Sequence, residues 1–264
     1  MKFTKMHGLG NDYLYVYGEV PNNVAELSRK LSERHFGVGS DGMIYISKSG
    51  IANFKMRIFN ADGSEAKMCG NGIRCVGKYV YDKGYTDKRF ISVETLSGVK
   101  YLTLQVVNGK VKSVTVDMGQ AKSEKSMELT VDGEKVLLIP VSVGNPHAVI
   151  FVDDIEKVPL TRLGPKIEYH EAFPDGVNVE FVEVLRSDEL RMRVWERGSG
   201  VTMACGTGAC ASVMAAIAAK HCHYNETVSV LLDGGTLKIQ ISPDNTVQMT
   251  GPAEVVYEGE TEIC

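Results

Sequence analysis

Two stretches decide the fold: KMRIFNADGSEAKMCGNGIRC, Lys55 to Cys75, and RMRVWERGSGVTMACGTGACA, Arg191 to Ala211. They align without a gap at an offset of 205 − 69 = 136 residues. Met56-Arg57-Ile58-Phe59 faces Met192-Arg193-Val194-Trp195, and Cys69, Gly70 and Gly72 face Cys205, Gly206 and Gly208. The echo continues outward. LGNDYLYV (Leu9–Val16) resembles VGNPHAVI (Val143–Ile150), DGMIYI resembles DGVNVE, and ISVETLSG resembles VSVLLDGG. VDMGQA resembles QMTGPA with a small shift. A repeat this long is not a solenoid array, whose modules run to a few tens of residues. It predicts two homologous halves related by a pseudo-twofold axis.

Both halves share one grammar. Short segments alternate apolar and polar residues as half-buried strands do, as in KMRIF, YLTLQVV, VKSVTVDM, RMRVW and LKIQI. VNGK, VDGE and PDNT supply turns. One helix follows each cysteine. The first, over 70–81, is amphipathic through Ile73, Val76, Gly77 and Val80. The second, over 207–220, is apolar on every side and must be enclosed. A shorter helix is predicted over 23–35, capped by Asn22-Asn23, with Leu27 and Leu31 inward. The expected class is α+β: two pseudo-symmetric domains, each a curved, mainly antiparallel sheet wrapped around a central helix. Residues 1–117 form the first, with 252–264 returning to it, and residues 118–251 form the second.

Composition excludes several functions. The 264 residues are 44% hydrophobic and 23% charged, with a net charge of −4. That is an ordinary globular balance. No basic block suggests nucleic acid or a membrane surface, and MKFTKMHGLGND lacks a signal-peptide core. The longest uncharged run, 201–219, contains two glycines and reads as a buried helix rather than a span. A cytoplasmic location follows, with the six cysteines reduced.

Cys69 alone allows three readings: a buried structural thiol, a metal ligand, or a nucleophile or base. The repeat favours chemistry. Strand, loop, cysteine, glycine turn and helix occur in that order twice. Each sulfur then lies at a helix N-terminus, where N–H groups and the dipole favour an anion and lower a thiol's pKa. The glycines let backbone N–H groups approach a ligand. Two such cradles face to face would place two thiols about one small anion. Two opposed acid/base groups suit inversion of a stereocentre: one thiolate takes a proton from one face, and the other thiol returns one to the opposite face. No cofactor motif is present, so neither pyridoxal phosphate nor another cofactor is expected, and no metal. Cys75, Cys210 and Cys222 read as core residues, Cys264 as exposed, and Arg74 and Lys78 as a solvated helix face.

NADGSEAKMCGNGIR resembles the signature of the diaminopimelate epimerase family through Asn60, Asp62-Gly63-Ser64, Cys69-Gly70-Asn71-Gly72 and Arg74. HGLGNDY, VGNPHAV, VNVEF, WERGSG and ACGTGA resemble it too, in the family's order, so that the resemblance spans essentially the whole chain. It implies a pyridoxal-phosphate-independent two-base epimerase interconverting LL- and meso-diaminopimelate, in lysine and peptidoglycan-precursor synthesis. It further implies a homodimer, and a site in the cleft between the domains. By position, Cys69 and Cys205 become the acid/base pair, with His147 and Glu196 beside the thiols. Asn11, Asn60, Asn71, Asn145, Asn178, Glu196 and Arg197 become substrate contacts, and the N–H groups of Gly70, Asn71, Gly206 and Thr207 hold the reacting carboxylate. Tyr257 matches a tyrosine near the dimer contact. Some members of the family carry glutamine where this chain has Gly42, so that position is left out of the site.

Three other readings stay open. GTGACA fits the dinucleotide pattern G-x-G-x-x-A, although the sequence offers no parallel βαβ context around it. The cysteines with His221 and His223 could bind zinc, although no C-x₂-C pair occurs. Proline racemases and hydroxyproline epimerases share the two-thiol logic. They generally carry histidine at the position of Asn71 and lack NADGS.

Overall fold

The structure is a computed structural model of the chain and describes residues 1–263; Cys264 lies outside the described residues. The chain forms two compact units: Met1–Val116 together with the residues from Gly251 onward, and Asp117–Thr250.

In the first unit, strands pair in the order Glu254–Glu260, Lys2–Gly8, Asn11–Tyr17, Gly42–Ser47, Phe54–Asn60, Phe90–Thr95 and Gly98–Val107. Helix α1 (Val24–Ser32) covers one side, and α2 (Gly70–Asp82) follows the first cysteine. Every residue of α2 from Gly70 to Val80 is buried, so the surrounding strands enclose the helix. Leu27 and Leu31 of α1 pack with Leu14, Met43, Tyr45 and Phe59. The helix begins after Asn23, as expected, without a side-chain cap bond, and stops at Ser32. It ends short of His35 because Glu33 turns extended.

The second unit repeats this plan. Its strands pair in the order Glu134–Ser142, Pro146–Phe151, Asn178–Arg186, Glu189–Glu196, Thr227–Leu232, Gly235–Ile241 and Thr246–Gly251. Helix α3 (Leu160–Glu168) was not expected from the sequence. Gly164 and Pro165 break its helical signature, yet shifting α1 by the repeat's own offset lands on α3 end for end. Leu160 and Ile167 enter a core with Leu129, Leu138, Ala148, Val179 and Phe181. Helix α4 (Gly206–Ala218) matches α2 at the same offset and is buried throughout its first twelve residues except at Thr207.

The expected alternating strands form, and pairing is mainly antiparallel. Tight turns close them where the sequence placed Asn-Gly and Asp-Gly. Asn108 and Gly109 have φ of 51° and 73°, and Asp132 and Gly133 have 56° and 79°. Those left-handed values suit two-residue hairpins. The sequence offers no parallel βαβ context around GTGACA, and that expectation fails. Each central helix is a crossover between strands that pair in parallel: Phe54-Lys55 with Val93-Glu94, and Glu189–Arg191 with Ser229–Leu231. These contacts are two and three residues long, too short to leave a mark in the hydrophobic pattern. Among the described residues no helix is long and apolar enough to cross a membrane.

Candidate active site

Cys69 and Cys205 occupy the same local position in their units. Each is the N-cap of the central helix, in extended conformation (φ/ψ −138°/117° and −113°/112°). Each sulfur accepts the N–H of the third helical residue, Gly72 or Gly208, at 3.3 Å. This is the bond a serine or aspartate cap would make. The helical ladders begin one residue later, with Ile73 N–H to Cys69 O and Ala209 N–H to Cys205 O. The N–H groups of Gly70 and Asn71, and of Gly206 and Thr207, therefore belong to the first turn, which has no i−4 carbonyl of its own helix. The sequence analysis expects an anion cradle at these two turns.

Around Cys69, the thiol donates to Asn11 Oδ1 at 3.2 Å. Asn11 is fixed in turn, because its Nδ2 donates to Asp41 Oδ2 at 2.8 Å. The Asp41 carboxylate also takes the Asp12 N–H, and burial raises its pKa despite both bonds. Asn60 ends its strand in the NADGS turn, with Nδ2 on Ser64 Oγ at 3.1 Å. Asn71 is buried and accepts from Arg74 Nη2 at 3.0 Å.

Arg74 and Lys78 are corrections. Neither lies on a solvated face: Arg74 is wholly buried and Lys78 is 8% exposed. The Arg74 guanidinium donates to Gly70 O, to Asn71 Oδ1 and to Pro252 O, tying the first turn of α2 to the returning C-terminal segment. Lys78 Nζ donates to Asp82 and to Val111 O. A helix surrounded by strands has no solvated face, so its cations must be satisfied internally.

Gly42 is a requirement of the backbone. A Cβ there would lie 2.1 Å from Phe59 O, at a φ of 152°.

Around Cys205 the partners are charged. Glu196 accepts from Thr202 Oγ1 at 2.5 Å and lies within hydrogen-bonding reach of the thiol. Burial raises the Glu196 pKa, and the Glu180 carboxylate adds to the rise. Thr207 Oγ1 lies 3.5 Å from Cys205 Sγ and accepts from Asn145 Nδ2 at 3.3 Å. Asn145 Oδ1 faces His147 Nε2 at 3.1 Å. His147 therefore reaches the thiol through Asn145 and Thr207.

The thiol itself overturns an expectation. Its pKa is raised well above the ordinary value, first by burial and then by Glu196 and Glu180. The bonds from Thr207 and Gly208 pull the other way and lose. A helix terminus lowers a thiol's pKa when cations or water help it; here two carboxylates oppose it.

Asn178 is buried, with Oδ1 taking the Arg197 N–H at 3.1 Å and Nδ2 donating to Pro146 O at 2.9 Å. It holds the loop that carries Arg197, and the exposed Arg197 side chain rests on Asp175 O. Tyr257 is exposed, edge-on to Phe3 at 6.0 Å. Cys75, Cys210 and Cys222 are buried, as expected, and burial pushes the Cys75 and Cys222 thiols up to about 11. In GTGACA, Gly206 and Gly208 are the first and third residues of α4, and Gly208 packs against Glu180 and Cys205. The His221 ring packs on Phe151 at 5.1 Å.

Sequence reasoning missed Glu180, which is wholly buried beneath the cap of α4. Its signal was a charge between two apolar residues, Val179 and Phe181, in VNVEF. The repeat offset places it opposite Ile44.

Compared with known families, the sequence pattern described as diaminopimelate epimerase matches residues 3–124 and 139–256. The chain belongs to the diaminopimelate epimerase family. Curated diaminopimelate epimerases from Acetivibrio thermocellus and Phocaeicola vulgatus are 50% and 51% identical to it. Each alignment covers 100% of this chain and 99% of the relative. The family's fold is shared more widely. A Bacillus anthracis phenazine biosynthesis protein of the PhzF family superposes with a TM-score of 0.78 at 15% identity, covering 100% of this chain and 99% of its own. A hydroxyproline epimerase from Agrobacterium vitis superposes at 0.74 with 17% identity, covering 98% and 91%. At such identities the likeness concerns the fold alone, and it agrees with the expected α+β class.

Proposed function

We propose that this protein interconverts LL- and meso-diaminopimelate by a two-cysteine, two-base proton transfer at the α-carbon, without pyridoxal phosphate. One observation carries the reading. In a chain of this family, two cysteines cap two buried helices in the same way, each beside a first turn of N–H groups. The substrate's reacting carboxylate would lie on those N–H groups, where charge develops as the α-proton leaves. One sulfur, as thiolate, takes that proton and becomes a thiol. The other, as thiol, gives its proton to the opposite face of the carbanion and becomes a thiolate. Burial and the two carboxylates hold Cys205 in the protonated form, the state from which a donor starts.

The remaining residues match a substrate with two amino-acid ends. Asn11, Asn60, Asn71 and Asn145 offer neutral hydrogen bonds. Glu196 offers a carboxylate for an ammonium, and Arg197 a fork for the distal carboxylate. His147 acts at Cys205 through Asn145. Asn178 supports Arg197 from behind. The enzyme would serve lysine and peptidoglycan-precursor synthesis in the cytoplasm as a homodimer, with Tyr257 near the contact.

The test is an assay with LL-diaminopimelate in deuterated water. Meso product carrying deuterium at the inverted carbon is expected. Activity on proline or hydroxyproline but not on diaminopimelate would replace this reading with the other two-thiol class.

A further inference from the structure

The second unit contains a buried pair that two-cysteine chemistry does not by itself require. Glu180 Oε1 and His147 Nδ1 are 2.7 Å apart, with both side chains fully inaccessible. The other ring nitrogen faces Asn145 Oδ1 at 3.1 Å. The imidazole thus sits between two oxygens. A neutral ring has one N–H and can satisfy only one of them, whereas an imidazolium satisfies both. The cation also compensates a carboxylate that would otherwise be buried as a lone charge.

The repeat supplies an internal control. In the first unit Leu14 pairs with Met43 and Tyr15 with Ile44; in the second, Ala148 pairs with Val179 and Val149 with Glu180. Tyr13 therefore stands where His147 stands, and Ile44 where Glu180 stands. A Cβ on Gly72 would meet Ile44 Cδ1 at 2.7 Å, and one on Gly208 would meet Glu180 Oε1 at 2.6 Å. The same pocket under the same cap holds an alkyl group in one half and a carboxylate in the other. The fold accepts an apolar residue there, so the charge serves something besides packing. A second observation agrees: Glu180 Oε2 is buried and has no hydrogen-bond partner among the described residues. Such a group is rare in a native interior and calls for an explanation, a catalytic role among them.

We propose that Glu180 is a positioning residue: it holds His147 as a doubly protonated imidazolium and, through Asn145, sets the Thr207 hydroxyl and the first turn of α4 at Cys205. Within the unit, the titratable groups around the ring are Glu180 on its strand, Glu196 on the next, and Cys205 at the cap of α4. His147 is the one cation in that set. It offsets both carboxylates and leaves the site able to carry a thiolate on Cys205 after proton donation. The kinetic part of this proposal rests on the epimerase reading; the protonation of His147 does not.

The experiment is nitrogen-15 NMR of histidine-labelled protein against pH, on the wild type and on Glu180→Gln, with steady-state kinetics on both. In the wild type both His147 nitrogens should carry a proton at pH 7. In E180Q the ring should be neutral at pH 7. Its kcat should fall about 10–100-fold, the loss that goes with removing a hydrogen bond to a charged group, with KM within about twofold. A neutral His147 in the wild type at pH 7 overturns the proposal, whether or not E180Q folds. So does E180Q with an unchanged imidazolium. Should the wild type show no epimerase activity, the substrate assignment falls, and the NMR titration still decides the role of Glu180.

Discussion

A Cβ placed on Gly208 would lie 2.6 Å from Glu180 Oε1 and 3.2 Å from Cys205 Sγ. The absent side chain is thus what lets a carboxylate and a thiol share the first turn of α4. Gly208→Ala should displace one of them and reduce kcat by about tenfold or more. Its stability should fall by about 1–3 kcal/mol, the usual range for overpacking, offset by a helix-propensity gain of up to about 1 kcal/mol. Gly72→Ala is the comparison, because the nearest atom there is the end of the Ile44 side chain, at 2.7 Å. An alkyl terminus yields more readily than a paired carboxylate, so G72A should cost less activity. Kinetics and urea melts on both variants check this. Equal losses would show that the Glu180 contact has no special weight.

Cys69→Ala and Cys205→Ala should each abolish epimerisation, since each removes one of the two proton carriers. One positioned acid or base is worth about 10²–10⁴-fold in rate, and inversion needs both. Retained turnover in either variant, followed by deuterium uptake, would end the two-base assignment.

The raised pKa of Cys205 has a definite sign. At pH 7–8 its thiolate fraction should lie below that of a free cysteine, so alkylation of the native protein should be slow there. It should rise only above the ordinary thiol range. Glu196→Gln removes a neighbouring negative charge and should speed alkylation at pH 8. For stability, the unfolded thiol ionises near pH 8.5 while the folded one stays protonated. Between those two points the unfolded state binds fewer protons, and the native state loses up to about 1.4 kcal/mol per pH unit through this group. Mass spectrometry of the peptide containing Cys205 after timed alkylation provides the measurement.

Arg74→Met keeps much of the side chain's volume and removes its donors. It leaves Gly70 O, Asn71 Oδ1 and Pro252 O without the guanidinium. Each buried acceptor so deprived costs about 1–3 kcal/mol, and the loss should fall on stability and on kcat together because Asn71 is released. Arg74→Lys should rescue little, since one ammonium cannot reproduce a planar fork. Near-complete rescue by lysine would refute the geometric role.

Gly42→Gln would install the side chain that some family members carry. Its Cβ would meet Phe59 O at 2.1 Å, so the substitution should yield little folded protein rather than a better site. Expression and melting temperature suffice as the readout.

Both caps, both central helices and most strands were legible because their signals are local and repeat along the chain. The all-apolar run after Cys205 could only be an enclosed helix, and the Asn-Gly and Asp-Gly turns could only be tight. Helix α3 was hidden by Gly164 and Pro165, whose intrinsic cost is met by packing Leu160 and Ile167 into the core. Arg74 and Lys78 read as surface because burial depends on partners far along the chain: Pro252 for one and Val111 for the other. The thiol's environment was misread for the same reason. The helix terminus is a local feature, but Glu180 reaches Cys205 from a strand 25 residues earlier. Asn178 was assigned to the substrate through the resemblance alone, and the bonds of its amide to the Arg197 N–H and to Pro146 O could not be read from the sequence.

A cysteine is an uncommon choice of cap, and that has a consequence for anyone handling inactive variants. Oxygen-bearing side chains are the preferred N-caps, and the bond from Gly72 or Gly208 runs to a sulfur at 3.3 Å. Serine in either place would accept the same N–H with a better acceptor. Cys69→Ser and Cys205→Ser should therefore melt no lower than the active protein while turning over far more slowly. The two caps proposed as the acid/base pair are also places where the chain holds structural stability in reserve.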